Sequence, residues 1–157
     1  MYWVSKLRDK MKKIMPPTYF LIFLILSVLL HFIFPIKKII FYPGSQVGWI
    51  FIVFGAVLNI WADQIFKKEK TTVKPGKTSK KLIEKGPFKI SRHPMYLGMT
   101  SILLGTALIH GSLVGFIFPI IFIILMEISF IPSEEKNMEK VFVKKYFSYK
   151  NKVRRWI

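Results

Sequence analysis

Between Gly86 and Gly98 the sequence GPFKISRHPMYLG brings Lys89, Ser91, Arg92, His93 and Tyr96 together where a basic stretch gives way to an apolar one. Pro94 suits the first position of a helix, where no amide hydrogen is needed, which makes His93 the expected N-cap. A helix start leaves backbone amides unpaired, and with Arg92 and His93 beside them the place suits a carboxylate or phosphate. Further on, Glu134 and Glu135 offer the opposite charge, suited to an ammonium, a sulfonium or a pair of ribose hydroxyls. A zwitterionic small molecule satisfies both. Taken singly these residues have plainer readings: Arg92 as a lipid anchor, and the glutamates as partners of a helix dipole in a first turn.

Other polar groups lie in otherwise apolar runs. Gly55, Asn59 and Asp63 recur every four residues and share one helical face. Gly55 reads as a close-packing position, whereas Asn59 and Asp63 fit a site lining and an interhelical hydrogen bond equally well. Glu127 closes a later apolar run. Buried polar groups in a membrane helix are costly and face a bundle interior or a wet cavity. His31, His93 and His110 lack the local spacing of metal ligands, so no metal is expected. The chain has no cysteine, which excludes disulfides, thiolate metal sites and a cysteine nucleophile.

The elements that must carry these groups follow from composition. Of 157 residues, 52% are hydrophobic, yet Lys and Arg number 25 against 8 Asp and Glu, a formal charge of +17. A soluble protein does not combine these; a small membrane protein does, with apolar faces toward lipid and basic residues at the cytoplasmic headgroups. Nucleic-acid binding is disfavoured, because the basic blocks alternate with apolar runs of spanning length, about 20 residues. The expected fold is an all-α integral membrane protein forming a single domain. Four transmembrane helices are expected at about 18–35, 47–66, 94–109 and 113–131, the last two forming a helical hairpin around His110-Gly111-Ser112. Gly98, Ser101 and Gly105 form a small-residue ridge on the third. A basic loop occupies 67–93, broken by Pro75-Gly76 and Gly86-Pro87. Pro132 is expected to stop the fourth helix and Ser133 to cap a new one. That helix, 133–153, carries Met138, Val141, Phe142, Tyr146, Tyr149 and Val153 on one side. The pattern is that of an amphipathic helix lying on a membrane, and packing on the chain's own loop gives the same pattern.

With an even number of spans both termini share a side, and all Lys and Arg except Lys37 and Lys38 fall on it. The positive-inside rule makes that side cytoplasmic. Asp63, His93, Tyr96, Glu127, Glu134 and Glu135 are then expected at one depth, with His31 and His110 at the other end. Such a cluster of titratable groups is the default candidate site.

From Thr71 to Trp156 the chain resembles the isoprenylcysteine carboxyl methyltransferase and phospholipid methyltransferase family of integral membrane enzymes. The resemblance rests on the G-P-F turn, R-H-P-M-Y-L-G, the Glu pair after the hairpin, Tyr146-x-x-Tyr149 and the Arg155-Trp156 ending. Arg154 stands where the family has Pro, and Val143 where Gly is common, so the closing segment is expected to differ in shape. The resemblance implies S-adenosylmethionine as cofactor and a lipid-like or prenylated acceptor. It places Gly86, Pro87, Arg92, His93, Pro94, Tyr96, Gly98, Glu134 and Glu135 around the cofactor, with Tyr146, Tyr149 and Arg155 closing over it. Arg92, Glu135 and Arg155 are the expected catalytic set; Asn59, Asp63, Glu127, Tyr146 and Tyr149 are expected toward the acceptor. A carboxylate acceptor needs an arginine to position it and no base; the amine of phosphatidylethanolamine needs one, from Glu135, Glu127 or His93. A nicotinamide-dependent sterol-type reductase and a non-enzymatic basic lipid-binding protein are the competing classes.

Overall fold

The computed structural model describes residues 14–33, 40–70 and 81–157. The turn expected at Pro75-Gly76 and the basic N-terminal segment as far as Lys13 lie outside them. The described residues are helical, with no β-strand among them. In order they form α1 (Pro16–Ile33), α2 (Val47–Lys68), α3 (Pro94–His110), α4 (Ile117–Leu125) and α5 (Ile131–Lys152). Short 3-10 turns at Gly44–Gln46, Gly86–Lys89 and Leu113–Phe116 introduce α2, α3 and α4. Three helical stretches are long and apolar enough to cross a membrane: Pro16–Ile33, Gly44–Lys68 and Leu113–Lys152. The expected third span, Pro94–His110, is apolar but shorter.

α3 is nonetheless the centre of the molecule. One of its faces meets α2 through an antiparallel seam of glycines, with Gly55 against Gly98 and Gly48 against Gly105. A Cβ placed on Gly98 would stand 2.8 Å from the Gly55 carbonyl oxygen, and one on Gly105 2.5 Å from that of Gly48, so no side chain fits at either. Midway between the glycine pairs, the Ser101 hydroxyl donates to the Phe51 carbonyl at 2.8 Å. Small residues let backbones approach, which is what holds helices together where lipid removes the hydrophobic drive. The expected ridge of Gly98, Ser101 and Gly105 is thus matched by Gly48 and Gly55 on its neighbour.

The opposite face of α3 packs in a different way. Tyr96, Met99 and Leu103 meet Phe122, Met126, Phe130 and Ile131 in the main core, with Tyr19, Phe20 and Phe23 of α1 against it. The rings meet edge-on: Tyr19 with Phe130 at 5.9 Å and Phe20 with Phe122 at 6.4 Å between centroids, the geometry that aligns ring edge with ring face. Outward positions such as Leu29, Ile50, Val53, Val57, Ile120 and Ile124 are exposed apolar side chains, as a lipid-facing surface requires.

Two expectations are corrected after α4. Pro132 does not end the helix, and Ser133 does not cap a new one. The chain continues through a π-helical turn, Met126–Phe130, in which the Ile131 amide bonds the Met126 carbonyl, directly into α5, where Pro132 occupies the first turn. A proline has no amide to give and is tolerated at a first turn, and the widened turn before it shifts the bonding frame by one residue. Burial decides between the two readings left open for part of α5. Tyr146 and Tyr149 are buried, and the Tyr149 hydroxyl donates to the Phe88 carbonyl at 2.6 Å, so this part of the helix packs on the chain's own loop. That loop is anchored in turn on α2, where Phe88 meets Phe66 edge-on at 5.2 Å beside Ala62 and Ile83.

Within α5, Val143 has φ 34° and ψ −111°, a conformation that a β-branched residue adopts only under strain. It stands where the resembled family commonly has Gly, and the residue is 64% exposed, so little packing depends on it. Val143→Gly should therefore stabilise the protein by on the order of 1 kcal/mol, read as a higher thermal midpoint in detergent micelles. Gly105→Leu, at the end of the seam away from Pro94, should cost about 3 kcal/mol through overpacking, whereas Ser101→Ala should cost only about 0.6 kcal/mol.

Candidate active site

Three segments converge beyond the start of α3: residues 91–93, the first turns of α5, and the tail after Lys152. Glu135 is their meeting point. Its side chain is 5% exposed, and its Oε1 stands 3.0 Å from Nη2 of Arg92, itself 7% exposed. Arg155 approaches from the tail, giving Nη2 to Glu135 Oε2 at 2.7 Å and Nε to Oε1 at 3.2 Å. The remaining Arg155 nitrogen, Nη1, donates to Glu127 Oε1, and the Trp156 indole donates to Glu127 Oε2 at 3.1 Å.

Glu134 holds the other half of the cluster. The Tyr96 hydroxyl donates to its Oε1 at 2.6 Å, while His93 Nδ1 lies 3.4 Å from its Oε2. His93 stacks on Tyr96, with centroids 5.6 Å apart and planes 5° from parallel. Its other nitrogen, Nε2, is 3.5 Å from Glu135 Oε1 but makes no hydrogen bond. The sequence places His93 at the helix start as expected, but its ring does not cap the helix; the two glutamates draw it aside. Ser91 fixes the turn instead. Its buried hydroxyl donates to the Arg155 carbonyl at 3.0 Å and accepts the His93 amide at 3.1 Å, while the Arg92 amide donates to the Arg154 carbonyl at 3.1 Å.

The charges in this cluster nearly cancel. Burial alone would raise the Glu135 carboxyl, but the close approach of His93, the hydrogen bonds from Arg155 and the charge of Arg92 hold it at about 2. Burial likewise opposes a charge on His93, yet Glu134 and Glu135 outweigh it and raise its pKa above the ordinary 6.5. With His93 protonated, two arginines and an imidazolium face three carboxylates.

Of the residues singled out by the sequence, Arg92, His93, Tyr96, Glu127, Glu134, Glu135 and Arg155 thus come together, with Pro94 starting the helix that carries Tyr96. Tyr146 and Tyr149 are buried with their ring centroids 6.1 Å apart, and both hydroxyls are raised in pKa, mainly by burial. Asn59 belongs to the α2–α3 seam: its amide nitrogen bonds the Gly55 carbonyl at 2.9 Å and packs on Gly98, while Oδ1 is buried without a partner. Asp63 stays apart. It is 42% exposed and pairs with Lys67 at 2.6 Å, one helical turn on, a local partner that competes successfully with the distant cluster. His31 and His110 stack on each other, centroids 4.4 Å apart, away from the site as expected. Ser91 and Trp156 were given no role by sequence reasoning. Trp156 could have been weighed as the closing residue of a recognised ending, whereas Ser91 stands out only as one polar group of its run until the tail is seen lying on it.

The donor set fits S-adenosylmethionine. Arg92 Nε and Nη1 are buried and without partners, which suits a carboxylate, and Glu134 suits an ammonium or ribose hydroxyls. The site should also leave a signature in stability. His93, raised on folding, stabilises fully below 6.5, and that contribution is lost as pH climbs through its higher folded value. Glu135, lowered on folding, stabilises above 4.5 and loses its contribution as pH falls toward about 2. Both coexist between 4.5 and 6.5, so the thermal midpoint in micelles should peak there. His93→Gln should flatten the alkaline limb of that profile, and Glu135→Gln the acid limb.

No curated protein and no solved structure matches the chain. A family model described as phospholipid methyltransferase matches residues 45–145, which take in α2, the loop carrying Arg92 and His93, α3, α4 and the Glu134-Glu135 pair. With that match spanning the greater part of its length, the chain belongs to the phospholipid methyltransferase family.

Proposed function

We propose that the protein transfers a methyl group from S-adenosylmethionine to a lipid-like acceptor at the cytoplasmic face of a membrane, with both termini on that side. Family membership supports a membrane methyltransferase. The distribution of Lys and Arg supports the orientation, with four spans that count α3 among them. The observation that carries the cofactor reading is the pair of buried, unpartnered Arg92 nitrogens facing a site otherwise rich in carboxylate. Arg92 and His93 would hold the methionine carboxylate, and Glu134 the amino or ribose end. Tyr96 would form the wall, whereas Gly98, expected beside it, is taken up by the α2–α3 seam.

S-adenosylmethionine supplies an electrophilic methyl group on a sulfonium. The tasks left to the protein are alignment and exclusion of water. Tyr146 and Tyr149, packed over the loop, exclude water from one side. The acceptor would reach the site from the bilayer between helices.

For the acceptor we favour a carboxylate, as in isoprenylcysteine O-methylation, because the available bases are engaged. Glu135 is held by two arginines, Glu127 by Arg155 and Trp156, Glu134 by Tyr96, and His93 is biased toward its protonated form. A carboxylate nucleophile needs none of them. The alternative acceptor, the amine of phosphatidylethanolamine, is favoured by the description of the matching family.

The purified protein should bind S-adenosylhomocysteine by calorimetry and show no affinity for NADPH. Arg92→Lys should weaken the former about 30-fold, or about 2 kcal/mol, by loss of the planar donor fork. Absence of binding to the intact protein would overturn the methyltransferase reading. Radiolabel transferred to membrane lipids should be released by mild base as methanol if the acceptor is a carboxylate; label that migrates with choline-type headgroups on thin-layer plates would establish the amine instead.

A further inference from the structure

The tail beyond α5 is tied into the site residue by residue. Val153 leaves the helix with extended backbone, and the next three residues are each anchored. The Arg154 carbonyl accepts the Arg92 amide, the Arg155 carbonyl accepts the Ser91 hydroxyl, and Trp156 bonds Glu127 through its indole nitrogen. Glu127 accepts from both Arg155 and Trp156, one on each oxygen. It can do so because it lies in the π-helical turn Met126–Phe130, a kind of turn that re-aims side chains and recurs at functional sites.

The division of Glu135 between two arginines gives this arrangement a consequence. A guanidinium and a carboxylate left to themselves pair through two parallel bonds. Arg155 occupies both oxygens of Glu135, so Arg92 reaches only Oε1, through Nη2, and its Nε and Nη1 stay unpaired although buried. Arg155 has no further nitrogen to spare: its Nη1 is fixed by Glu127. We propose that Glu127 is a positioning residue that locks the C-terminal tail, so that Arg155 saturates Glu135 and Arg92 keeps two donors free for the carboxylate of an incoming ligand. Glu127 then acts through Arg155 and does not touch the acceptor. The lock rests on the geometry alone; its effect on the ligand rests also on the methyl-donor reading given above.

Two measurements separate these parts. In a protein with Trp3, Trp49 and Trp61 replaced by Phe, Trp156 is the sole indole. Glu127→Gln should shift its emission to the red and raise its quenching by iodide, with no ligand present; unchanged emission and quenching would overturn the lock. Arg155→Lys, which keeps the charge and loses the fork, should do the same, and the double variant should be no worse than Arg155→Lys alone. In calorimetry, Glu127→Gln should weaken S-adenosylhomocysteine about tenfold, the loss expected for one charged hydrogen bond. It should leave 5′-methylthioadenosine, which lacks the amino-acid carboxylate, unchanged. Equal effects on the two ligands would overturn the role assigned toward Arg92, as would a rise in the KM of the acceptor with donor affinity intact. If the unsubstituted protein binds neither ligand, the methyl-donor reading fails, and with it the ligand half of the proposal; the fluorescence arm still decides the lock.

Discussion

A buried carboxylate, Glu135, sets the terms for everything around it. Withdrawing it from water costs several kcal/mol, which an ion pair offsets only with good geometry and full hydrogen bonding. The chain meets that requirement by bringing two guanidinium groups and an imidazole to one carboxylate, each from a different stretch of sequence: Arg92 and His93 from the loop before α3, and Arg155 from the tail. Removing any one partner leaves charge stranded. The cluster therefore fixes the loop, the first turns of α5 and the tail relative to one another.

Such a cluster can form only if the helices deliver its members to one place, and here packing precedes electrostatics. The glycine seam clamps α2 to α3, and Phe66 of α2 then holds Phe88 of the loop. This sets the point at which the chain reaches Ser91. On the other side, the aromatic core seats α4 against α3, and the π-helical turn carries the chain past Pro132 without a break. Because the helix does not stop, Glu127, Glu134 and Glu135 are displayed on one continuous rod. A flexible joint at Pro132 would have left their relative positions unset.

Much of this was legible in the sequence, and the parts that were not share a cause. The helices could be read because apolar runs and their punctuation are local signals: Pro94 at a helix start, Gly111 in the left-handed conformation at a helix end, and small residues at spacings that stack on one face. The gathering of His93, Tyr96, Glu127 and the glutamate pair followed from the order of the apolar runs and which ends of them share a side. Reading failed where two partners competed. Asp63 lay at the expected end of α2, but Lys67 one turn away claimed it. The apolar side of α5 could meet a bilayer or the chain itself, and only the fold decides that Tyr149 goes to the Phe88 carbonyl. Pro132 reads as a stop only if the turn before it is α-helical, and Ile131 bonding to Met126 is not visible as a pattern.

The near-neutral balance of the site has a bearing on how it can work in a membrane. A chain with a formal charge of +17 would, at a lipid headgroup surface, attract anions of every kind to its basic loops. Inside the cluster, however, three carboxylates answer two arginines and one histidine, so net charge gives an anion little reason to enter. On the proposed reading, selectivity falls to donor geometry: a ligand would have to offer a carboxylate to Arg92 and a positive or hydroxyl group to Glu134 at the same time. A phosphate or a fatty acid meets only the first demand. An amino-acid head with both groups would meet the two together, and this pairing, more than the basic surface, would distinguish the proposed cofactor site from a general affinity for anionic lipid.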